Sequence, residues 1–163
     1  MEQAETIRSL IEREREVCTA LAGVLQAERD ALTSFAPETL MHCVRNKDLL
    51  HGELLALVQR RRSTVRELAR DLGVEADDGR VHGLLVHLPQ AARMRLREAL
   101  IGLRESLLTA RRLQRVNGAL IDASLKRVGD ILRVCRTSLP GTRYDRRAAL
   151  TPGPAPDAVD QRA

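Results

Sequence analysis

One long apolar repeat constrains the fold of this chain more than any other feature. From Leu96 to Cys135, twelve positions recur at alternating steps of three and four residues, and most of them are apolar. No proline interrupts the segment between Pro89 and Pro140. Steps of three and four residues follow one face of an α-helix. The pattern predicts a single helix over residues 89–139, about 75 Å long if it is unbroken.

The same spacing predicts two further helices, over residues 4–35 and 37–72. Pro37 separates them, because the residue before a proline is pushed out of helical geometry and proline suits a first helical turn. Gly73 is a natural residue just past a helix end. Residues 73–88 hold three glycines and an Asp-Asp-Gly turn signal. They predict a loop with a short helical turn at residues 84–88.

The apolar side chains are almost entirely aliphatic. The chain has one phenylalanine, Phe35, one tyrosine, Tyr144, and no tryptophan, whereas strands draw on aromatic and β-branched residues. We therefore predict an all-α fold, an elongated antiparallel three-helix bundle or coiled coil over residues 1–139. Residues 140–163 hold four of the six prolines and few large apolar residues, which predicts a flexible tail.

Charge is distributed unevenly along the chain. The formal net charge is +5, but residues 1–36 carry −3 and residues 89–139 carry +7. The acidic first helix and the basic third helix are expected to attract each other as neighbours. A basic nucleic-acid-binding helical protein is an alternative, which the scarcity of aromatic residues for base stacking disfavours.

Several functional classes find no support in the sequence. No uncharged apolar run reaches the roughly 18 residues of a membrane span, and no signal peptide is recognisable, which predicts a cytoplasmic protein. The three cysteines then read as reduced thiols. The four histidines lack zinc-site spacing, and no phosphate-binding loop is present. We expect no enzyme activity, metal or cofactor, and a role in binding another protein.

The second half of the third helix is where binding is expected. This helix is much longer than the second, so part of its apolar face should lack a partner within the chain. Gln114 and Asn117 interrupt the stripe, either as a polar layer that fixes helix register or as a partner contact. The runner-up is a structural coiled-coil adaptor or a self-associating oligomer. Tyr144, with three arginines nearby, is either a stray exposed residue or the anchor of a docking motif.

Four segments together resemble a known family. They are residues 26–32 (QAERDAL), residues 47–50 (KDLL) followed by Leu54 and Leu57, residues 115–121 (RVNGALI) followed by Val128, Ile131 and Leu132, and finally Tyr144. In this order they resemble the FlgN family of flagellar export chaperones over most of residues 5–150.

The resemblance implies a cytoplasmic chaperone of type III flagellar export. Such a chaperone binds the hook–filament junction proteins FlgK and FlgL and delivers them to the export gate protein FlhA. The last helix would capture a C-terminal amphipathic helix of the client. By matching position, the client-binding residues are Asn117, Leu120, Ile121, Leu125, Val128, Ile131 and Leu132. Tyr144 matches a tyrosine that docks on FlhA, although a glycine that often follows it closely is replaced here by Asp145-Arg146-Arg147.

Overall fold

The structure is a computed structural model that describes residues 2–74, 80–138, 142–144 and 150–152. Three long helices dominate the described residues, as predicted, and each begins and ends within about two residues of its expected bounds. The elements are α1 (Glu2–Ser34), α2 (Pro37–Asp71), α3 (Val81–Leu84) with a 3-10 turn (Leu85–His87), α4 (Gln90–Ser138), β1 (Thr142–Tyr144) and β2 (Leu150–Pro152).

The first two long helices end in the same way. Gly73 follows α2 with φ +67°, and the next amide, from Val74, donates to the carbonyl of Ala69 at 3.0 Å. Phe35 follows α1 with φ +55°, and the Ala36 amide donates back to Ala31 at 3.0 Å. Both ends therefore have the left-handed residue and the six-to-one hydrogen bond of a Schellman termination. Gly73 predicted the termination of α2 from the sequence. Phe35 gave no such signal for α1, because a bulky residue rarely adopts a positive φ.

Packing separates the chain into two compact units, Met1–Leu120 and Ile121–Ala163. In the first unit, contacts between the helices fix their directions. Near one end of α1, Gln3 donates to Asp71 at 2.7 Å, and near the other, Lys47 pairs with Glu28, so α1 and α2 are antiparallel. The hydroxyl oxygens of Thr19 on α1 and Ser106 on α4 lie 3.4 Å apart. Later in both helices, the side chain of Asn117 on α4 donates to the carbonyl oxygen of Leu25 on α1. Helices α1 and α4 therefore run in the same direction, and the predicted antiparallel connectivity is confirmed.

The core of the first unit is aliphatic. Its main cluster joins α1, α2 and α4 with the short helical segment between the last two; a smaller cluster of Leu21, Leu25 and Ala110 lies further along α1. The main cluster consists of Ala4, Ile7, Ile11, Cys18, Val65, Leu68, Ala69, Val81, Leu84, Leu85, Leu88, Leu96, Ala99 and Leu103. Among the described residues, no helix is long and apolar enough to cross a membrane.

The connection before α4 is more ordered than the predicted loop. Helix α3 and its 3-10 turn cover residues 81–87, and Val81, Leu84, Leu85 and Leu88 are buried against the long helices. The predicted turn at 84–88 is thus part of a slightly earlier helical segment, because three apolar side chains at 81, 84 and 85 share one face. Residues 75–79, with the turn signal, lie outside the described part.

Charge pairing departs from the expectation for α1 and α4. The acidic residues of α1 pair within α1 or with α2, and no ion pair joins α1 to α4 among the described residues. A longer-range attraction between the two helices is present nevertheless: the hydrogen bond from Arg8 lowers the pKa of Glu5 most, and the positive charge of Arg95 on α4 lowers it further. The two helices are neighbours as expected, but they form no direct ion pair within the described residues, because α4 turns apolar positions towards α1 and leaves most of its arginines exposed.

All three cysteines are free thiols. Cys18 and Cys43 are buried, whereas Cys135 is exposed. Burial, followed by the nearby charge of Glu14, raises the pKa of the Cys18 thiol, because both disfavour the thiolate.

The second unit contains the last part of α4 and a short strand pair. Strands β1 and β2 are antiparallel, with Thr142 opposite Pro152, Arg143 opposite Thr151 and Tyr144 opposite Leu150. The sequence analysis did not predict this pairing. The rest of the predicted flexible tail, residues 140–163, lies outside the described residues. The division into a bundle over residues 1–139 and a tail over 140–163 stays a prediction.

Candidate functional site

The last part of α4 is exposed without interruption. Every residue from 121 to 136 is exposed, although the apolar stripe continues through this segment. Five of the predicted client-binding residues lie here, and we call them the client face: Ile121, Leu125, Val128, Ile131 and Leu132. Their side chains are 37% to 66% exposed. Isolated exposed apolar residues are ordinary, but a contiguous row marks a surface that binds another molecule.

Helical spacing places the client face on one side of α4. Steps of four, three, three and one residues separate its members in chain order. At about 100° per residue, the five side chains fall within an arc of about 120°. That width suits the apolar face of a second amphipathic helix, which presents anchors at the same spacing.

The polar border of the client face is basic. Residues 121–136 carry four cations against Asp122 and Asp130, and Asp130 is paired with Arg133 at 3.3 Å. By helical spacing, Arg127 lies beyond one edge of the face and Arg136 beyond the other.

The other two predicted client-binding residues lie in the first unit, and their surroundings differ. Asn117 is buried, with 1% of its surface exposed. Its Nδ2 donates to the carbonyl oxygen of Leu25 and to Oε2 of Glu28, both at 2.8 Å. Leu120 is half-buried. The structure therefore separates Asn117 from the exposed residues and gives it the internal contacts expected of a polar layer.

Glu28 connects this layer to the second helix. It is buried, and its other carboxylate oxygen accepts a hydrogen bond from the Lys47 ammonium. Asn117, Glu28 and Lys47 thus link all three long helices. Within the described part of the chain, the Oδ1 atom of Asn117 accepts no hydrogen bond. Sequence periodicity could not name the partners of Glu28, because they lie on the other two long helices.

Tyr144 is the last residue of β1, where it stands opposite Leu150. All five residues of the intervening connection, including Arg146 and Arg147, lie outside the described part of the chain. The structure brings Tyr144 together with none of the predicted client-binding residues by any described contact.

The comparisons with known proteins decide the family. The family model described as FlgN protein matches residues 1–152. The chain belongs to the FlgN family. The match covers the three long helices, the short helix α3 and both strands, so it includes every residue that the structure describes. Neither a curated protein nor a solved structure matches the chain.

Membership of the FlgN family gives the coarse function. It implies a flagellar export chaperone that binds hook-associated proteins and is not an enzyme. An adaptor unrelated to flagella and a nucleic-acid-binding protein, the alternatives left open by the sequence, are both disfavoured by this membership. The exposed client face on α4 agrees with a chaperone, because a chaperone must keep apolar surface available for its client.

Proposed function

We propose that this chain binds the C-terminal amphipathic helices of the hook–filament junction proteins FlgK and FlgL in the cytoplasm and delivers them to the export gate protein FlhA. The client helix packs on the client face of α4. The observation that carries the proposal is the continuous exposure of residues 121–136 around five apolar side chains at helical spacing.

The energetics of such a contact are sufficient. Full burial of one Leu, Ile or Val side chain is worth about 1.5–3 kcal/mol. Five half-exposed side chains and their counterparts on the client supply several times that amount. Loss of translational and rotational freedom, together with ordering of the client, opposes binding by about 4–15 kcal/mol. The balance supports micromolar or tighter affinity.

The buried polar layer has a separate role in this proposal. A client could reach Asn117 only by displacing its hydrogen bonds to α1, so this residue serves the bundle and not the client face. Leu120 is half-buried in the first unit, and an acidic substitution there would disturb packing as well as any client contact. The test therefore uses residues of the second unit only.

Gate docking is assigned to Tyr144. Two features support this assignment: a lone tyrosine lies shortly after the last helix, as the resemblance to the FlgN family implies, and Arg143 provides a neighbouring cation. An aromatic anchor with basic flanks docks well on an acidic or apolar recess. This contact is separate in sequence from the client face, so a chaperone can hold its client and touch the gate simultaneously.

A matched pair of valine substitutions tests the client face. Val128 lies on it and is 53% exposed, whereas Val134 is 61% exposed and lies about 120° away around the helix. Val128→Asp places a charge in the interface and should weaken binding of the FlgL C-terminal segment at least about 100-fold. Val134→Asp makes the same chemical change outside the client face and should alter the affinity for the FlgL segment less than about threefold. Calorimetric titration measures both.

Tyr144→Ala separates the two functions in the same set of proteins. The Tyr144→Ala protein should keep its affinity for the client and lose binding to the cytoplasmic domain of FlhA. The Val128→Asp protein should lose client affinity and, measured without a client, keep binding to that domain. Circular dichroism should show unchanged helicity in all three variants. Equal client affinity of the Val128→Asp and Val134→Asp proteins would rule out the client face, and gate binding that survives Tyr144→Ala would rule out the tyrosine anchor.

A further inference from the structure

A second exposed apolar row runs along the first half of α4. Met94, Ile101 and Leu108 are 60%, 59% and 53% exposed, and none belongs to a core cluster. They are spaced by seven residues, close to two helical turns, so they form one ridge along the helix. We call these three residues the back ridge. It lies wholly in the first unit and uses none of the client-face residues.

Opposite charges border the back ridge on its two sides. An arginine follows each ridge residue by three positions, at Arg97, Arg104 and Arg111, and a glutamate follows the first two by four positions, at Glu98 and Glu105. Offsets of three and four residues lie on opposite sides of a reference position, about 60° and 40° away. The ridge therefore has an arginine row on one side and a glutamate row on the other.

These charges are available to a partner. All five side chains are exposed, and none forms an ion pair with another residue of the described segments.

The two rows make the ridge complementary to itself in one orientation only. When two such helices pack ridge to ridge and parallel about a two-fold axis, the arginine row of each meets the glutamate row of the other. When they pack antiparallel about a two-fold axis, arginines meet arginines and glutamates meet glutamates. Like charges opposite each other are unfavourable. A single row of charges, or two rows of the same sign, would not favour the parallel orientation over the antiparallel one.

We propose that the back ridge is a self-association surface, on which a second copy of the chain packs with its α4 helix parallel to the first. Met94, Ile101 and Leu108 each meet the same residue of the second copy. Arg97 faces Glu98 of the partner subunit, and Arg104 faces Glu105 of the partner subunit. Two-fold symmetry doubles both pairs.

The size of the surface sets the strength of the contact. Three ridge residues and four charged flanks per copy are fewer than the 20–30 residues of a standard stable interface. The charge complementarity also ends after Glu105, because the next position of the glutamate row is Arg112, which is positively charged. The dimer is therefore weak, with a dissociation constant on the order of 100 μM, and it forms reversibly.

A charge-swap experiment tests the proposal with two variants of the full chain. Arg97→Glu/Arg104→Glu places glutamates on both sides of the ridge, and Glu98→Arg/Glu105→Arg places arginines on both sides. Sedimentation equilibrium up to millimolar protein should show the average mass of the native chain rising from 18.1 kDa towards twice that value. Each variant alone should self-associate at least about tenfold more weakly. A one-to-one mixture should restore association, because each row again meets its opposite.

Cross-linking tests the parallel orientation, in a Cys135→Ser background that removes the exposed native thiol. Met94→Cys should form an intermolecular disulfide under mild oxidation, because position 94 meets itself only in the parallel arrangement. A mixture of Met94→Cys and Leu108→Cys chains should give little mixed product. A native chain that stays monomeric at millimolar concentration, or variants whose mixture does not associate, would overturn the proposal. Preferential 94–108 cross-links would overturn the orientation.

Discussion

At the scale of single residues, the informative positions are the polar ones inside the bundle. Asn117 is almost wholly buried, and both of its donated hydrogen bonds go to α1. A buried amide without partners is costly, so these two bonds select one position of α4 along α1. Shifting α4 by one turn would leave the amide facing aliphatic side chains. Asn117 therefore fixes the register of the helices.

Asn117→Ala should lower the free energy of unfolding by about 1–3 kcal/mol, because two hydrogen bonds are lost and Glu28 loses a donor. Urea unfolding followed by circular dichroism measures the change. Asn46→Ala on α2 is the matched control, since Asn46 is exposed and its removal should cost less than about 0.5 kcal/mol. A neutral Asn117→Ala substitution would contradict the register role and reopen Asn117 as a partner contact.

What the sequence could predict about Asn117 has a clear physical limit. Its place in a repeat of three and four residues shows that it faces inward. The repeat contains no information about which side chain of a distant helix lies opposite, because that depends on helix register. Glu28 and Lys47, separated from Asn117 by about 90 and 70 positions, could be recognised as its network only once the helices were assembled.

At the scale of the helices, two ion pairs with buried carboxylates align α1 with α2. Arg61 donates to Glu14 at 2.6 Å, and Lys47 pairs with Glu28. The two carboxylates are 14 residues apart along α1, and the two cations are 14 residues apart along α2. Fourteen residues are two heptads, so both pairs recur on the same faces. A slip of one turn would break both pairs at once.

Arg61→Ala should destabilise the bundle by about 3–5 kcal/mol, because it leaves the Glu14 carboxylate buried without its cation. Arg62→Ala, at the exposed neighbouring position, is the control and should change stability by less than about 0.5 kcal/mol. Replacing Glu14 and Arg61 together by leucine should recover most of the loss, because no uncompensated charge remains. Equal unfolding midpoints for the two single variants would show that the ion pair contributes nothing.

The elements themselves were predictable to different degrees. The three long helices follow from strong periodicity and from Pro37, Gly73 and Pro89, whose backbone preferences are local. The strand pair at Thr142–Tyr144 and Leu150–Pro152 has no such signal, since three-residue strands are too short to show an alternation. The net charges of α1 and α4 did not predict direct ion pairs between them, because the net charge of a helix does not say which of its faces is charged.

At the scale of the whole molecule, the two units differ in how much of their surface they bury. The first unit contains the aliphatic core and the buried polar contacts, whereas residues 121–136 bury nothing of their own. A helical segment with few tertiary contacts has low local stability. Binding of a client helix would supply the missing contacts and stabilise this segment. On the proposed function, folding stability and client capture are therefore properties of different parts of the chain.

The candidate site was predictable as a stretch of α4, but not residue by residue. The apolar repeat continues on both sides of Gln114 and Asn117, from Leu96 to Cys135, so the sequence alone cannot say where contacts with the other helices end. The structure divides the predicted set, with Asn117 buried, Leu120 half-buried and the five client-face residues exposed. The back ridge was missed because its heptad row carries only one apolar residue per two turns.

Hydrogen–deuterium exchange of the full chain tests the central claim most directly. It is measured with and without the C-terminal segment of FlgL in saturating amount. In the free chain, amides of residues 121–136 should exchange quickly, because few contacts protect them. The client should slow their exchange by at least about tenfold and leave the amides of the α1 core unchanged. Protection that appears only in α1 or α2, with residues 121–136 still exchanging quickly, would contradict a client face on α4.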